Sequence, residues 1–313
     1  MLDVGSNTVH LLVVDAHHGA APSPALSRKF ELKLAESLEA SGHLKAEAID
    51  QLVETVKACR IEAQDLNCDE FLAFATSAIR DAGNGAEVLS RVLKDAETEL
   101  EVLDGEHEAI LTFLAVRRWY GWSSGRLLVA DIGGGSLEIA QGTSEYPDNA
   151  ASLPLGSGRL TRQFFTSDPP SADEIAQLRK YVREQLKSHI QPFVDAGQPD
   201  HIVATSKTFK QLARIAGAAP SNKGPRARRE LAATDLYSWV RKLATMTAKE
   251  RAKLPGVSQG RAEQLLAGAI VAQETMDLLN IKAFEICPWA LREGIILRRL
   301  DWIEDDEEFT TFN

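Results

Sequence analysis

Asp131-Ile132-Gly133-Gly134-Gly135-Ser136-Leu137-Glu138 is the stretch on which the reading of the fold turns. Three consecutive glycines let the backbone take positive φ and approach a ligand closely. Successive N–H groups in such a turn form an anion-binding concavity. The flanks decide which kind of turn this is. A nucleotide P-loop or a dinucleotide fingerprint needs a helix after its glycines. Here Leu137-Glu138-Ile139-Ala140 alternates like a strand, and no Lys-Ser/Thr pair follows. The stretch therefore reads as a strand–turn–strand hairpin. An ordinary glycine-rich hairpin has the same outline. The aspartate before the glycines, with Ser136 and Glu138 after them, favours a phosphate loop.

Working outward, the chain opens with a weaker copy. Leu2-Asp3-Val4-Gly5-Ser6 and Ala130-Asp131-Ile132-Gly133-Gly134 share the order apolar, Asp, β-branched, Gly, small. Gly-Ser-Asn alone is common in turns, so Asp3-Val4-Gly5-Ser6-Asn7-Thr8 draws its weight from this echo. Each copy opens a run of alternating strands and helices. Strands are expected at 2–4, 8–15, 71–75, 100–103, 126–132, 137–141, 201–204 and 284–287. Helices are expected at 45–66, 84–97, 106–119, 171–195, 206–217, 231–245, 259–280 and 289–302, and 27–38 holds a strand or short helix. Glu304 to Asn313 reads as an acidic, frayed tail. The pattern implies an α/β protein made of two similar domains with a cleft between them.

Three further motifs invite a functional reading. Ala75-Thr76-Ser77-Ala78-Ile79-Arg80 follows a buried strand, and ligands bind beyond the C-terminal ends of strands in open α/β sheets. The Arg80 guanidinium matches phosphate oxygens, although pairing with Asp81 would explain it as well. Gly105-Glu106-His107-Glu108-Ala109 begins a helix, where carboxylates are favoured by the dipole without any function. His107 lacks metal-ligand spacing and reads as structural. Ser221 to Arg229 is a basic loop with Lys223, Arg226, Arg228 and Arg229. It is either solvated surface or a landing strip for a polyanion.

Bulk properties bound these readings. The 313 residues suggest two domains, and 44% hydrophobic with 26% charged residues is ordinary for a globular protein. A net charge of −10 argues against broad nucleic-acid binding. No stretch has the length and apolarity of a membrane span, and MLDVGSNT does not read as a leader. Cys59, Cys68 and Cys287 form no C-x-x-C pair, which points to a reducing cytoplasm.

Taken in order, the motifs resemble the exopolyphosphatase/guanosine pentaphosphate phosphohydrolase family. They are Asp3 to Thr8, Ala75 to Arg80, Gly105 to Ala109, Asp131 to Glu138, Leu153-Pro154-Leu155-Gly156-Ser157-Gly158-Arg159-Leu160, Arg261 to Gly268 and Leu291 to Gly294. Ala204 to Phe209 and Cys287 to Ala290 look most like the short actinobacterial exopolyphosphatases. The resemblance implies two actin-like (ribonuclease H-like) domains, the first over 1–120 and the second over 121–295. The C-terminal helix from about 296 would return to the first.

The resemblance also implies roles. Glu108 is the expected general base and Arg80 a catalytic partner. Gly5, Ser6 and Asn7, with Gly133, Gly134, Gly135 and Ser136, are the expected phosphate loops. Asp131 and Glu138 are expected to associate with Mg²⁺, or Mn²⁺ in its place. Arg159, Lys207, Arg261 and Arg292 are expected substrate contacts. The substrate implied is inorganic polyphosphate, with guanosine pentaphosphate 5′-hydrolysis or non-catalytic sensing as alternatives. A homodimer is compatible with the resemblance. Two departures stand out. Only Met1 and Leu2 precede Asp3, so a native start upstream is expected. Ser206-Lys207 stands where relatives carry a glycine pair, and these side chains are expected to fill the space of a nucleoside.

Overall fold

The structure, a computed structural model, describes residues 1–16, 21–39 and 41–310, with side chains as far as Asp301. The chain divides into two units, Met1–His107 with Arg292–Asn313, and Glu108–Leu291.

Among the described residues the first unit holds five strands: β1 (Leu2–Val4), β2 (Thr8–Val14), β3 (Pro24–Glu31), β4 (Ala73–Ala75) and β5 (Glu101–Val102). Their order is β3-β2-β1-β4-β5. The first three pair antiparallel, and β4 and β5 extend the sheet parallel to β1. Leu2, Val4, Val9 and Leu11 share a core with Leu52 and Val56 of the helix Ala46–Asp65 and with Val88 and Val92 of the helix Gly85–Ala96. The helical spacing of these residues is what gives each helix one apolar face.

The second unit holds β6 (Leu127–Ile132), β7 (Leu137–Gly142), β8 (Asn149–Leu153), β9 (His201–Ala204), β10 (Glu230–Ala232) and β11 (Ala283–Ile286), in the order β10-β11-β9-β6-β7-β8. Again three antiparallel strands lead, β6 to β8, and β9 and β11 continue parallel to β6. With β10 set aside, the order and directions repeat those of the first unit. This is the ribonuclease H-like, actin-like topology, present twice. Strand β6 is an apolar run because helices and strands bury it on both faces. The helix Leu265–Leu278 is buried nearly all round, so its sequence shows no polar face.

Several elements differ from expectation. Strand β8 reads Asn-Ala-Ala-Ser-Leu, with no β-branched or aromatic residue to signal it. Strand β10 is a three-residue edge, and the helix Ser157–Phe164 follows a glycine-rich segment. The helix expected over 171–195 breaks after Lys187, and Pro192 starts a separate turn, Gln191–Asp195. The last helix runs Leu291–Thr310 and takes in most of the acidic residues expected as a tail. Residues 311–313 lie outside the described ones.

Candidate active site

The β6–β7 hairpin closes with Gly133 N–H donating to the Ser136 carbonyl at 2.9 Å. Asp131 and Glu138 face each other in register, just below the turn. The segment after β8 then grips the loop. Ser157 N–H and Oγ–H both donate to the Gly133 carbonyl, at 3.0 and 3.1 Å. Arg159 N–H donates to the Gly134 carbonyl at 2.9 Å, and Arg159 Nε–H to the Gly135 carbonyl at 2.9 Å. In a trans peptide the C=O and the following N–H point in opposite directions. Turning these three carbonyls toward residues 157–159 therefore turns the N–H groups of Gly134, Gly135 and Ser136 the other way, as a set. That is how an anion-binding nest is built.

Gly156 makes the grip possible. A Cβ there would lie 2.2 Å from the Gly135 carbonyl carbon and 2.3 Å from Ser136 N. No side chain fits between the two segments.

Three carboxylates influence one another here, Glu108 and Asp131 each acting on Glu138. Glu108, four residues into the helix Gly105–Tyr120, is buried, as is Glu138. Burial raises the Glu138 carboxyl well above the ordinary range, and the charges of Glu108 and then Asp131 push it further the same way. Ser152 Oγ–H donates to Glu138 Oε1 at 2.9 Å, and Ser136 also bonds it. The Thr205 hydroxyl donates to Asp131 Oδ2. Burial lowers the Arg261 guanidinium pKa, and Asp131 acts in the opposite direction. Lys207 is drawn down by loss of hydration at its ammonium and by Arg261. Within the second unit, Glu108 and Asp131 thus act on Glu138, Asp131 on Arg261, and Arg261 on Lys207.

Thr205 and Ser206 lead from β9 into the helix Ser206–Ile215, and Ser206 has φ +59°. An L-residue in this left-handed region carries about 1–2 kcal/mol of strain. The glycine conformation is kept here although the glycine is not. Lys207 lines a cavity of about 660 Å³.

The first unit contains the other expected residues. Gly5 N–H closes its loop on the Thr8 carbonyl at 3.0 Å. Ser6 Oγ lies 3.1 Å from Ser77 Oγ. Arg80 donates to Asp81 Oδ1 at 3.2 Å and to the Leu103 carbonyl at 2.8 Å. Arg292 pairs with Asp3 at 3.5 Å and donates to His10 Nδ1. With Nδ1 accepting, the proton sits on His10 Nε2, which meets Ser27 Oγ at 2.8 Å. His107 is held by Asp104, as its structural reading requires.

The basic loop is less open than its composition suggests. Arg229 donates to the carbonyls of Ala219, Pro220, Gly224 and Ala227, and Arg226 lies over the Trp119 ring. Arg228 stays exposed beside Glu230.

Sequence inspection gave no role to Ser152, Ser157 or Thr205, although the last two lie in stretches that carry the resemblance. The first two sit in segments without a strand or helix signature. Thr205 had a signal: Ala204-Thr205-Ser206 repeats Ala75-Thr76-Ser77.

Comparison with known proteins bears on the same residues. Exopolyphosphatase 1 of Mycobacterium tuberculosis is 54% identical over 301 residues, 96% of this chain and 88% of that one. Exopolyphosphatase 1 of Mycobacterium leprae is 52% identical over 301 residues, covering 96% and 89%. The crystal structure of an exopolyphosphatase from Cytophaga hutchinsonii superposes with a TM-score of 0.85 at 26% identity, over 96% of both chains. The Ppx/GppA enzyme of Aquifex aeolicus gives 0.78 at 27%, over 95% and 97%. The model of the Ppx/GppA phosphatase family matches residues 12–302, which takes in the glycine hairpin and all three carboxylates, and on that match the chain belongs to the Ppx/GppA phosphatase family.

Proposed function

We propose that this chain is an exopolyphosphatase, hydrolysing the terminal phosphoryl group of inorganic polyphosphate. The observation that carries the reading is the outward-turned set of Gly134, Gly135 and Ser136 amides, with the three mutually interacting carboxylates of the same unit. The amides suit the equatorial oxygens of a phosphoryl group, and the positive charge of Arg261 acts on Asp131 beside them. The relatives named exopolyphosphatase support the choice of substrate.

The residues fit a divalent cation. Burial, then the charges of Glu108 and Asp131, raise the Glu138 carboxyl, and a cation beside it would act in the opposite direction. Among the described residues no group of three or more His, Cys, Asp or Glu is placed to hold an ion. Magnesium is suited to such a site, since it takes one or two carboxylates and completes its shell with water and phosphate oxygens. Asp131 and Glu138 would hold it, and when bound it would neutralise charge on the phosphate oxygens.

The protein's own groups do the rest. Glu108 orients the attacking water and takes its proton as the water oxygen bonds to phosphorus and the bridging P–O bond breaks. The loop amides stabilise the developing charge without reorganising, because residues 157–159 hold their carbonyls. Ser152 and Thr205 fix the carboxylates of Glu138 and Asp131.

We assign this work to the cytosol. Cys59, Cys68 and Cys287 form no disulfide among the described residues, which suits a reducing compartment. No helix among the described residues is long and apolar enough to cross a membrane. The test is phosphate release from defined polyphosphates and from guanosine pentaphosphate, side by side, with magnesium. Faster turnover of polyphosphate is expected. Hydrolysis of guanosine pentaphosphate alone would replace the reading with that of a 5′-phosphohydrolase.

A further inference from the structure

Four consecutive carbonyls of the glycine hairpin are held from outside it. Ser157 and Arg159 hold those of Gly133, Gly134 and Gly135. The fourth belongs to Ile132, at the root of the loop, and accepts from the Thr208 hydroxyl at 2.9 Å. Thr208 is buried in the first turn of the helix Ser206–Ile215. A trans peptide is planar, so holding the Ile132 carbonyl also sets the direction of the Gly133 N–H, which closes the turn on the Ser136 carbonyl. Three residues before Thr208, Thr205 donates to Asp131. One helix start thus fixes two adjoining points of β6, the Asp131 carboxylate and the peptide that begins the loop.

The grips from Thr208 and Ser157 meet at one residue. A Cβ on Gly268, in the helix Leu265–Leu278, would lie 2.6 Å from Thr208 Cγ2 and 3.2 Å from Ser157 Cβ. Threonine carries its methyl and its hydroxyl on the same stiff Cβ. Any rotation that moved the methyl away from a new side chain would swing the hydroxyl off the Ile132 carbonyl. A retreat of Ser157 would pull on the Gly133 carbonyl instead. One turn earlier, Gln264 lies against Gly158, where a Cβ would come 3.1 Å from its side-chain amide. The helix is therefore a close-fitting seat for both grips.

We propose that Thr208 is a positioning residue for phosphoryl transfer, acting through the Ile132 carbonyl, and that Gly268 lets Thr208 and Ser157 hold the loop together. The assignment rests on the exopolyphosphatase reading, and it names the residues that keep the loop amides aimed at the transferring phosphoryl group.

The test separates the hydroxyl from the methyl. Thr208→Val keeps the branched shape and removes the hydroxyl, whereas Thr208→Ser keeps the hydroxyl and removes the methyl. In polyphosphate hydrolysis Thr208→Val should lower kcat about tenfold with KM within about threefold, because misplaced amides lose most against charge that develops in the transition state. Thr208→Ser should keep kcat within about threefold of the wild type. Gly268→Ala should lower kcat about tenfold, by overpacking both grips. The decisive variant combines Thr208→Ser with Gly268→Ala. It removes the methyl that the new Cβ meets and leaves the hydroxyl, so kcat should return to within about threefold of the wild type. Wild-type turnover in Thr208→Val, or a double variant no faster than Gly268→Ala, would overturn the assignment. Hydrogen exchange at the Gly133 amide, followed by NMR on glycine-labelled protein, makes the comparison without turnover. Relative to core amides of the second unit, Thr208→Val should exchange there about tenfold faster, and Thr208→Ser at the wild-type rate. A wild type that releases no phosphate yet shows this exchange pattern would fail the enzymatic reading and keep the positioning of the loop. An unchanged Gly133 rate in Thr208→Val would sink the proposal.

Discussion

The hairpins β1–β2 and β6–β7 close with the same bond, Gly5 N–H to the Thr8 carbonyl and Gly133 N–H to the Ser136 carbonyl, yet they surround their aspartates with opposite charge. Asp3 faces His10 across the strands and pairs with Arg292. Asp131 faces Glu138, with Glu108 close enough to act on it. The neighbouring parallel strand differs as well. Ala75 pairs with Val4, one residue beyond Asp3, whereas Ala204 pairs with Ala130, one residue before Asp131. That two-residue offset, about 6.6 Å along a strand, keeps the same face. It lets Thr205 bond Asp131, while in the first unit Ser77 meets Ser6 of the loop. One topology thus yields a charge-compensated hairpin and a hairpin with concentrated negative charge.

The largest effect should come from the group with no counterpart in the first unit. Glu108→Gln keeps shape and removes the base, so turnover should fall by roughly 10²–10⁴-fold with melting temperature little changed. Steady-state phosphate release decides it. Near-normal turnover would remove Glu108 from the mechanism and leave the two hairpins chemically alike.

Next comes the grip on the loops. Gly156→Ala forces a methyl into the Gly135–Ser136 backbone. It should cost about 1–3 kcal/mol of stability and about 10–10²-fold in turnover through displacement of the loop. Gly5→Ala meets only the Thr8 carbonyl at 3.3 Å and Asp3 Oδ1 at 3.9 Å, and should cost about 1 kcal/mol or less. Denaturant melts and kcat for both variants test the difference. Equal tolerance at the two sites would mean that residues 157–159 do not hold the glycine loop.

The hairpins should also tilt stability in opposite directions with pH. Glu138 has a raised carboxyl, so the folded state keeps a proton that the unfolded chain loses above about pH 4.5. Its contribution therefore falls as pH rises through that value toward its raised folded one. His10 is lowered from 6.5 to about 3 by burial, then by Arg292 and Lys29, so its contribution is lost as pH falls through that window. In thermal melts with chelator, Glu138→Gln should lessen the loss of stability at neutral and higher pH, and His10→Gln the loss on acidification. Unchanged slopes in both variants would show that neither partner differs from the unfolded chain.

The smallest effect concerns the repeated Ala-Thr-Ser. Ser206→Gly relieves a positive φ and should stabilise by about 1 kcal/mol, or about 2–4 °C in a unit of this size. Ser77→Gly places glycine at a helical residue without that strain, loses the contact with Ser6, and should destabilise by about 1 kcal/mol. Calorimetric melts giving the same sign for both would break the distinction.

The sequence by itself determined the duplicated α/β plan, the hairpin nature of the glycine loop and the list of acids. Those properties are local. Glycine runs, alternation and helical spacing record how a segment sits on its own sheet or helix, and Asp131, Glu138 and the Asp3 echo are legible within a few residues of the turns. Only the tertiary structure decided what each charged group does. Arg159 holds a carbonyl of the loop, Arg292 pairs with Asp3, Arg229 folds its own loop, and Arg261 senses Asp131. All four are arginines in polar stretches, with nothing local to separate them. The direction of the loop amides was equally hidden, because it depends on Gly156 and Ser157 reaching Gly133 to Gly135 across more than twenty residues of chain. Local preferences set the elements, but hydrogen-bond direction and charge neutralisation depend on groups that only folding brings within a few ångströms.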